Sequence, residues 1–323
     1  MLGGVELLVE FAEVAEACGR HADMLEAAIA AAMLSCGAPI PESCGKHAWE
    51  RFAGSGAVLS PLSEGSVPSS RCLAVLARGT KFAVSETRAP LRMLDVLDEH
   101  EPRADLKPIA AEYRATLATQ AASARKAVHD CLARTVLPAL EAAADRAAAD
   151  AQDGAAPAGR GPDPAAGASG AAGGPAVGDL TRGIVLVCRL LGDLERYAAE
   201  AEGGTGQRGP AAARASAASA AALSRYSKSM QVGASALPAW SPVRLATALN
   251  LSVFLFERHG DEAEAARVAR EAAEAAEDSA PTAAEIEAEG GEEARAEGAR
   301  LLRLLQENLA AWRRVLRVER LMV

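Results

Sequence analysis

Aromatic residues are scarce in this chain of 323 residues: three Trp, three Tyr and five Phe make up 3% of it, although half of the chain is hydrophobic. That leaves little with which to build a large β-sandwich or barrel, whose pleated faces are filled by aromatic and β-branched side chains. Basic charge is also in the minority. Thirty-four Lys and Arg against 43 Asp and Glu leave a net charge of −9. This argues against non-specific attachment to nucleic acid or an anionic membrane, since both need clustered positive charge. Any anionic ligand must therefore meet a local basic site.

Other absences narrow the field further. The six cysteines, Cys18, Cys36, Cys44, Cys72, Cys131 and Cys188, form no C-x-x-C pair, and the five histidines do not gather near them. Reduced thiols of a cytosolic or nuclear protein are expected, with no disulfide framework, no metal site and no cofactor. No apolar run approaches the ~18 residues of a membrane span; Ile184 to Cys188 is typical. The opening MLGGVELLVEF carries two acids and no basic residue, unlike a signal peptide. There is no H-E-x-x-H and no nucleophile elbow, so no enzyme is expected. Gly204, Gly206 and Gly209 fit G-x-G-x-x-G, but no strand precedes them and no βαβ unit surrounds them.

What the chain does have is alanine, 78 residues of it, the best helix former. Much of this excess is expected in the low-complexity stretch Gly154 to Gly178 and in solvent-facing runs such as PAAARASAASAAA. Periodicity places nine helices. The first carries the stripe Leu7, Phe11, Val14 and Cys18 and closes at Gly19; the second runs from His21 to Leu34. Residues 37–70 read as a long loop with a short turn near Ala48 to Phe52. The third helix runs from Arg71 to before Pro102, with a kink expected at Pro90, and the fourth from Asp105 to Asp150, with a bend at Pro138. Asp179 can cap a fifth helix with the stripe Ile184, Val187, Leu191 and Leu194. The sixth covers Pro210 to Ser235. Ser241 caps a seventh, Pro242 to Gly260; the eighth covers Asp261 to Asp278 and the ninth Glu292 to Arg320. An all-α, up-and-down antiparallel stack follows, read as one domain over 1–323 with loop insertions about 36–70, 151–178 and 202–210.

In such a stack alternate helices can line one concave face, and helices three, five, seven and nine carry matching polar chemistry. Lys81 and Arg88 lie seven apart on the third, Arg189 and Arg196 seven apart on the fifth, with Tyr197 beside the second arginine. Asn250 and Asn308 sit among aliphatics on the seventh and ninth. By spacing alone, Arg189 and Arg196 could equally belong to a solvated face paired with Asp193 and Glu200. Asn250 could be a satisfied core amide, and Leu249, Val253, Leu301, Leu304 and Trp312 could be core packing.

The phrases around these residues resemble the 14-3-3 family of phosphoserine/phosphothreonine-binding adaptors. SPVRLATALNLSVFLFER is similar to that family's P-x-R-L-x-L-A-L-N-F-S-V-F, LLRLLQENLAAWRR to its L-L-R-D-N-L-T-L-W, and LLGDLERYAAE to its G-D-Y-Y-R-Y-x-A-E. Weaker echoes lie in AEVAEACGRHADM and IAAEYRATL. The resemblance implies a right-handed stack of nine antiparallel helices with a concave amphipathic groove, acting without catalysis in the cytoplasm or nucleus. It implies that Lys81, Arg88, Arg196 and Tyr197, with Arg189, hold a phosphate. Asn250 and Asn308 would hydrogen-bond the peptide backbone, and Leu249, Val253, Glu257, Leu301, Leu304 and Trp312 would line the groove. The partners would be phosphorylated proteins or peptides. A homodimer is implied too, through Leu8, Phe11, Arg20, Asp23 and Tyr113.

The chemistry fits such a ligand. A phosphate dianion offers acceptors to paired guanidinium forks, while an asparagine can bond a peptide N–H or C=O whatever the side chain. The chain departs from the family pattern at Pro90, Arg300 and Ala311, and Thr116 and Gln120 stand where dimer ion-pair partners are expected. A scaffold of the same fold that no longer reads phosphate is the alternative expectation.

Overall fold

A computed structural model describes residues 3–41, 61–63, 65–100, 106–153, 177–202 and 210–322, and among these no residue is in a β-strand. The chain divides into two compact units, Met1–Leu180 and Thr181–Val323. The expected turn near Ala48 to Phe52, the GTGQRG segment and all of the stretch Gly154 to Gly178 except its last two residues, which open a helix, lie outside the described residues.

In the first unit, helix α1 is Gly4–Ala17, α2 is His21–Ser35 and α3 is Ser70–His100. Helix α4 runs through three segments, Leu106–Cys131, a π-helical turn Leu132–Val136, and Leu137–Asp153. The N-terminus of α1 is tied by the Gly3 N–H donating to the Glu6 carboxylate at 3.2 Å, which also suits the positive end of the helix dipole. Its buried stripe is Leu8, Ala12 and Ala15, joined by Val9. Gly19 takes φ 69°, the left-handed conformation that ends α1.

Helix α2 is buried on most sides, with Ala27, Ala28, Ala30, Ala31 and Ala32 inside the core. Small side chains let α3 approach so closely that a Cβ on Gly79 would lie 3.3 Å from the Leu25 Cα. Outside this core Arg71 of α3 pairs with Glu10 and Glu13 of α1, and Arg78 with Glu16 at 3.0 Å. Helix α3 continues through Pro90. In α4 the Leu137 N–H bonds to the Leu132 carbonyl, five residues back, directly before Pro138. The chain thus widens its turn where the proline ring would crowd the carbonyl four residues earlier.

In the second unit, α5 (Val177–Glu202, whose first four residues belong to the first unit), α6 (Pro210–Ala236), α7 (Pro242–Phe254, extended by a π turn Leu255–His259) and α8 (Glu262–Glu277) follow the expected order. A short helix, α9 (Ala283–Glu289), was not expected, and α10 is Gly291–Met322. The tally of nine thus becomes ten among the described residues. Tyr226, Leu245, Leu251, Phe254, Leu305 and Leu309 form the middle of this unit's core. Phe256 stacks on Trp312 at 4.6 Å, and α10 passes so near the turn before α7 that a Cβ on Gly298 would meet the Trp240 carbonyl at 2.6 Å. The Ser229 hydroxyl of α6 donates to the Val185 carbonyl of α5 at 2.9 Å and lies 3.1 Å from the Thr247 hydroxyl of α7.

Candidate functional site

The polar face of α5 holds the candidate anion site of the second unit. Arg189 and Arg196, seven residues apart, lie two turns apart on one face of the helix. Arg196 keeps only 11% of its side chain exposed, contacts the Glu200 carboxylate through Nη1 at 3.2 Å and lies over the Tyr197 ring, with Cζ 4.4 Å from the centroid. Its Nε, and that of the half-buried Arg189, is buried with no acceptor among the described residues. Burial works against the charge of Arg196. Tyr197, Tyr226, Asp193 and Glu200 around it outweigh that, so its proton is held more tightly than usual.

A second cluster, built on Asp193, shares this face. The Tyr226 hydroxyl of α6 donates to Asp193 Oδ1 at 2.5 Å, and Asn250 Nδ2 of α7 donates to the same carboxylate at 2.9 and 3.1 Å. Tyr226 is fully buried. Burial, and after it the Asp193 charge, push its phenol well above the ordinary range, so it remains a donor. Gly192 makes the contact possible, because a Cβ there would sit 2.8 Å from the Tyr226 ring. Spacing suggested that Asp193 and Glu200 could both serve as i,i+4 partners of arginines; Glu200 does so, whereas Asp193 serves α6 and α7 instead. The roles of Asp193, Gly192 and Tyr226 were not anticipated. The available signals were the Gly-Asp pair inside GDLERY and a lone aromatic in the Ala/Ser-rich α6.

The remaining expected residues divide by burial. Leu249, Asn250, Val253, Leu304 and Asn308 are half-buried and Glu257 is exposed. Leu301 and Trp312, expected on the groove wall, are 5% and 8% exposed and pack in the hydrophobic cluster of the second unit. Both fall on the inward stripe that α10 shares with Leu305 and Leu309. Arg300 is exposed and bonds Glu297 of its own helix at 2.7 Å.

In the first unit Lys81 is exposed and Arg88 half-buried on α3, while Arg78 is taken up by Glu16. Leu8, expected at a dimer surface, is 1% exposed within its own unit, because it lies on the stripe of α1 that packs into the core. Phe11 is half-buried, Arg20 pairs with Asp23 of the same chain, and Tyr113 is exposed. The five described cysteines are free; burial pushes Cys36 up to about 11 and Cys72 up to about 12, so neither is a thiolate at neutral pH.

A family model described as 14-3-3 protein matches residues 179–313, the span that carries all three of the strongest sequence phrases. No curated protein matches the chain. The all-helical architecture agrees with that family, whose members are non-catalytic, phosphopeptide-binding adaptors. Over residues 179–313, this chain is similar to the 14-3-3 family.

Proposed function

We propose that the protein is an adaptor that binds phosphoserine- or phosphothreonine-containing segments of partner proteins, acting in the cytoplasm or nucleus. The observation that carries this reading is that Arg189 and Arg196, two of the three α5 arginines with a buried Nε, find no acceptor for it among the described residues. A buried donor left unbonded costs about 1–3 kcal/mol, so two on one face call for an acceptor from outside. Glu200 contacts Nη1 of Arg196 and Tyr226 is a further neighbour of the guanidinium, while Nε remains a donor for a phosphate oxygen. Tyr197 holds the guanidinium flat by stacking, and Asn250 and Asn308 supply amides for the peptide backbone. Leu249, Val253 and Leu304 add an apolar margin. The assignment of Lys81 and Arg88 to phosphate binding rests on the sequence resemblance, and each is tested by its own charge reversal.

Titration of a labelled phosphopeptide and its unphosphorylated twin tests the function. The phosphorylated form is expected to bind at least about tenfold more tightly, given charge-assisted bonds of roughly 1.5–3 kcal/mol each. Arg196→Glu is expected to abolish the difference. Equal affinity of the native chain for both peptides would instead support the phosphate-indifferent scaffold.

We further infer a homodimer formed through the first unit. With Leu8 in the core and Arg20 paired within its own chain, the exposed apolar side chains Val14, Met93, Ile109 and Tyr113 are the surface offered to a second copy.

A further inference from the structure

We infer that Asp193 is a positioning residue of the peptide-binding face: it accepts from Tyr226 and Asn250 and thereby turns Asn250 so that its Oδ1 is offered to a backbone N–H of the bound peptide. The inference rests on the phosphopeptide reading above and adds to it a residue and a direction of hydrogen bonding.

A carboxylate can only accept, so the amide of Asn250 that meets it must present Nδ2, and the opposite side of the carboxamide is then Oδ1. The contacts are 2.9 Å to Oδ1 and 3.1 Å to Oδ2 of Asp193, which fixes the plane of the amide as well as its sense. The carboxylate is itself held by the Tyr226 hydroxyl, on a ring that is fully buried and pressed against Gly192. Three helices, α5, α6 and α7, thus meet at one acceptor.

The placement of this charge needs a reason. A carboxylate three residues before Arg196 opposes an incoming anion; Asp193 adds to the charge that holds the Arg196 proton, yet its hydrogen bonds go elsewhere. Its partners are two neutral donors. What it supplies is a fixed orientation for Asn250, and the charge rules out the flipped amide that a neutral acceptor would permit.

The test uses the full chain, a phosphopeptide, and a set of analogues each N-methylated at one backbone nitrogen. In the native protein one position is expected to carry a penalty of about fivefold to tenfold that vanishes in Asn250→Ala, the loss of one hydrogen bond. In Asp193→Asn the same penalty is expected to fall to less than about twofold, because the substituted side chain accepts or donates and lets Asn250 turn either way. The preference for the phosphorylated peptide is expected to persist in that variant. The double variant Asp193→Asn/Asn250→Ala is expected to bind no more weakly than Asn250→Ala alone.

An unchanged N-methylation profile in Asp193→Asn, or additive losses in the double variant, overturns the assignment while leaving the phosphopeptide reading intact. The same holds if no penalty depends on Asn250. A native chain that binds both peptides equally overturns the functional reading itself, and the assignment with it. Should Asp193→Asn lose its helical circular dichroism, Tyr226→Phe takes its place in the same cycle, where coupling to Asn250 supports the role and additivity refutes it.

Discussion

Gly192 illustrates what a single side-chain position decides. Its hydrogen stands where a methyl group would come within 2.8 Å of a fully buried tyrosine ring, and that ring cannot retreat without breaking its bond to Asp193. Gly192→Ala is therefore expected to destabilise the second unit by about 1–3 kcal/mol, the usual cost of overpacking a core. Urea denaturation would measure it, and an unchanged midpoint would show that the ring has room to move. Arg189, Arg196 and Asn250 could be found by spacing and resemblance because charged and amide groups stand out in apolar helices. Glu200 was legible as the i,i+4 partner of Arg196, but the link from Asn250 through Asp193 to Tyr226 was not, since Tyr226 and Asp193 lie 33 residues apart and only the pairing of α5 with α6 joins them. Leu301 and Trp312 show the converse: their residue types suit a groove wall and a core equally, and burial alone separates the two.

At the scale of helices, local signals placed the ends well, but not always the face: α1 buries Leu8, Val9, Ala12 and Ala15 rather than the expected stripe Leu7, Phe11, Val14 and Cys18. Asp261, whose carboxylate accepts from the Glu264 N–H at 3.0 Å, starts α8, and Gly260 at φ 67° ends the element before it. Asp261→Ala is expected to cost about 1 kcal/mol of stability, read as a lowered thermal midpoint; no change would mean that tertiary packing, not the cap, fixes where α8 begins. Helix α9 was missed because AAEIEAE has one large apolar residue and no stripe, yet its capping box, Thr282 with Glu285, was legible. The alanines serve two uses. Those of PAAARASAASAAA that are described are mostly exposed or half-buried, whereas those of α2 fill the core of the first unit, where small side chains permit close helix approach. Composition cannot distinguish the two uses, since a methyl group is cheap to expose and compact to bury.

For the molecule as a whole, the sharpest open surface is the set of apolar side chains on α1, α3 and α4, with Tyr113 55% exposed. Apolar area of this kind normally finds a partner. Light scattering of the full chain at micromolar concentration is expected to give twice the 33.2 kDa of one copy, and Tyr113→Glu is expected to shift that mass downward. A mass of 33.2 kDa for the unaltered chain would refute the homodimer.

The sequence by itself determined the helical class, nearly every helix boundary, and the family phrases on α5, α7 and α10, because periodicity, caps and motif spacing are local properties of a chain. Tertiary structure alone decided which candidates face outward and which are core, that Arg20 and Arg78 are engaged within the chain, and that Asp193 joins Tyr226 to Asn250. The reason is physical: burial and hydrogen-bond partnership depend on which helix faces meet, and that is fixed by packing between residues far apart in sequence.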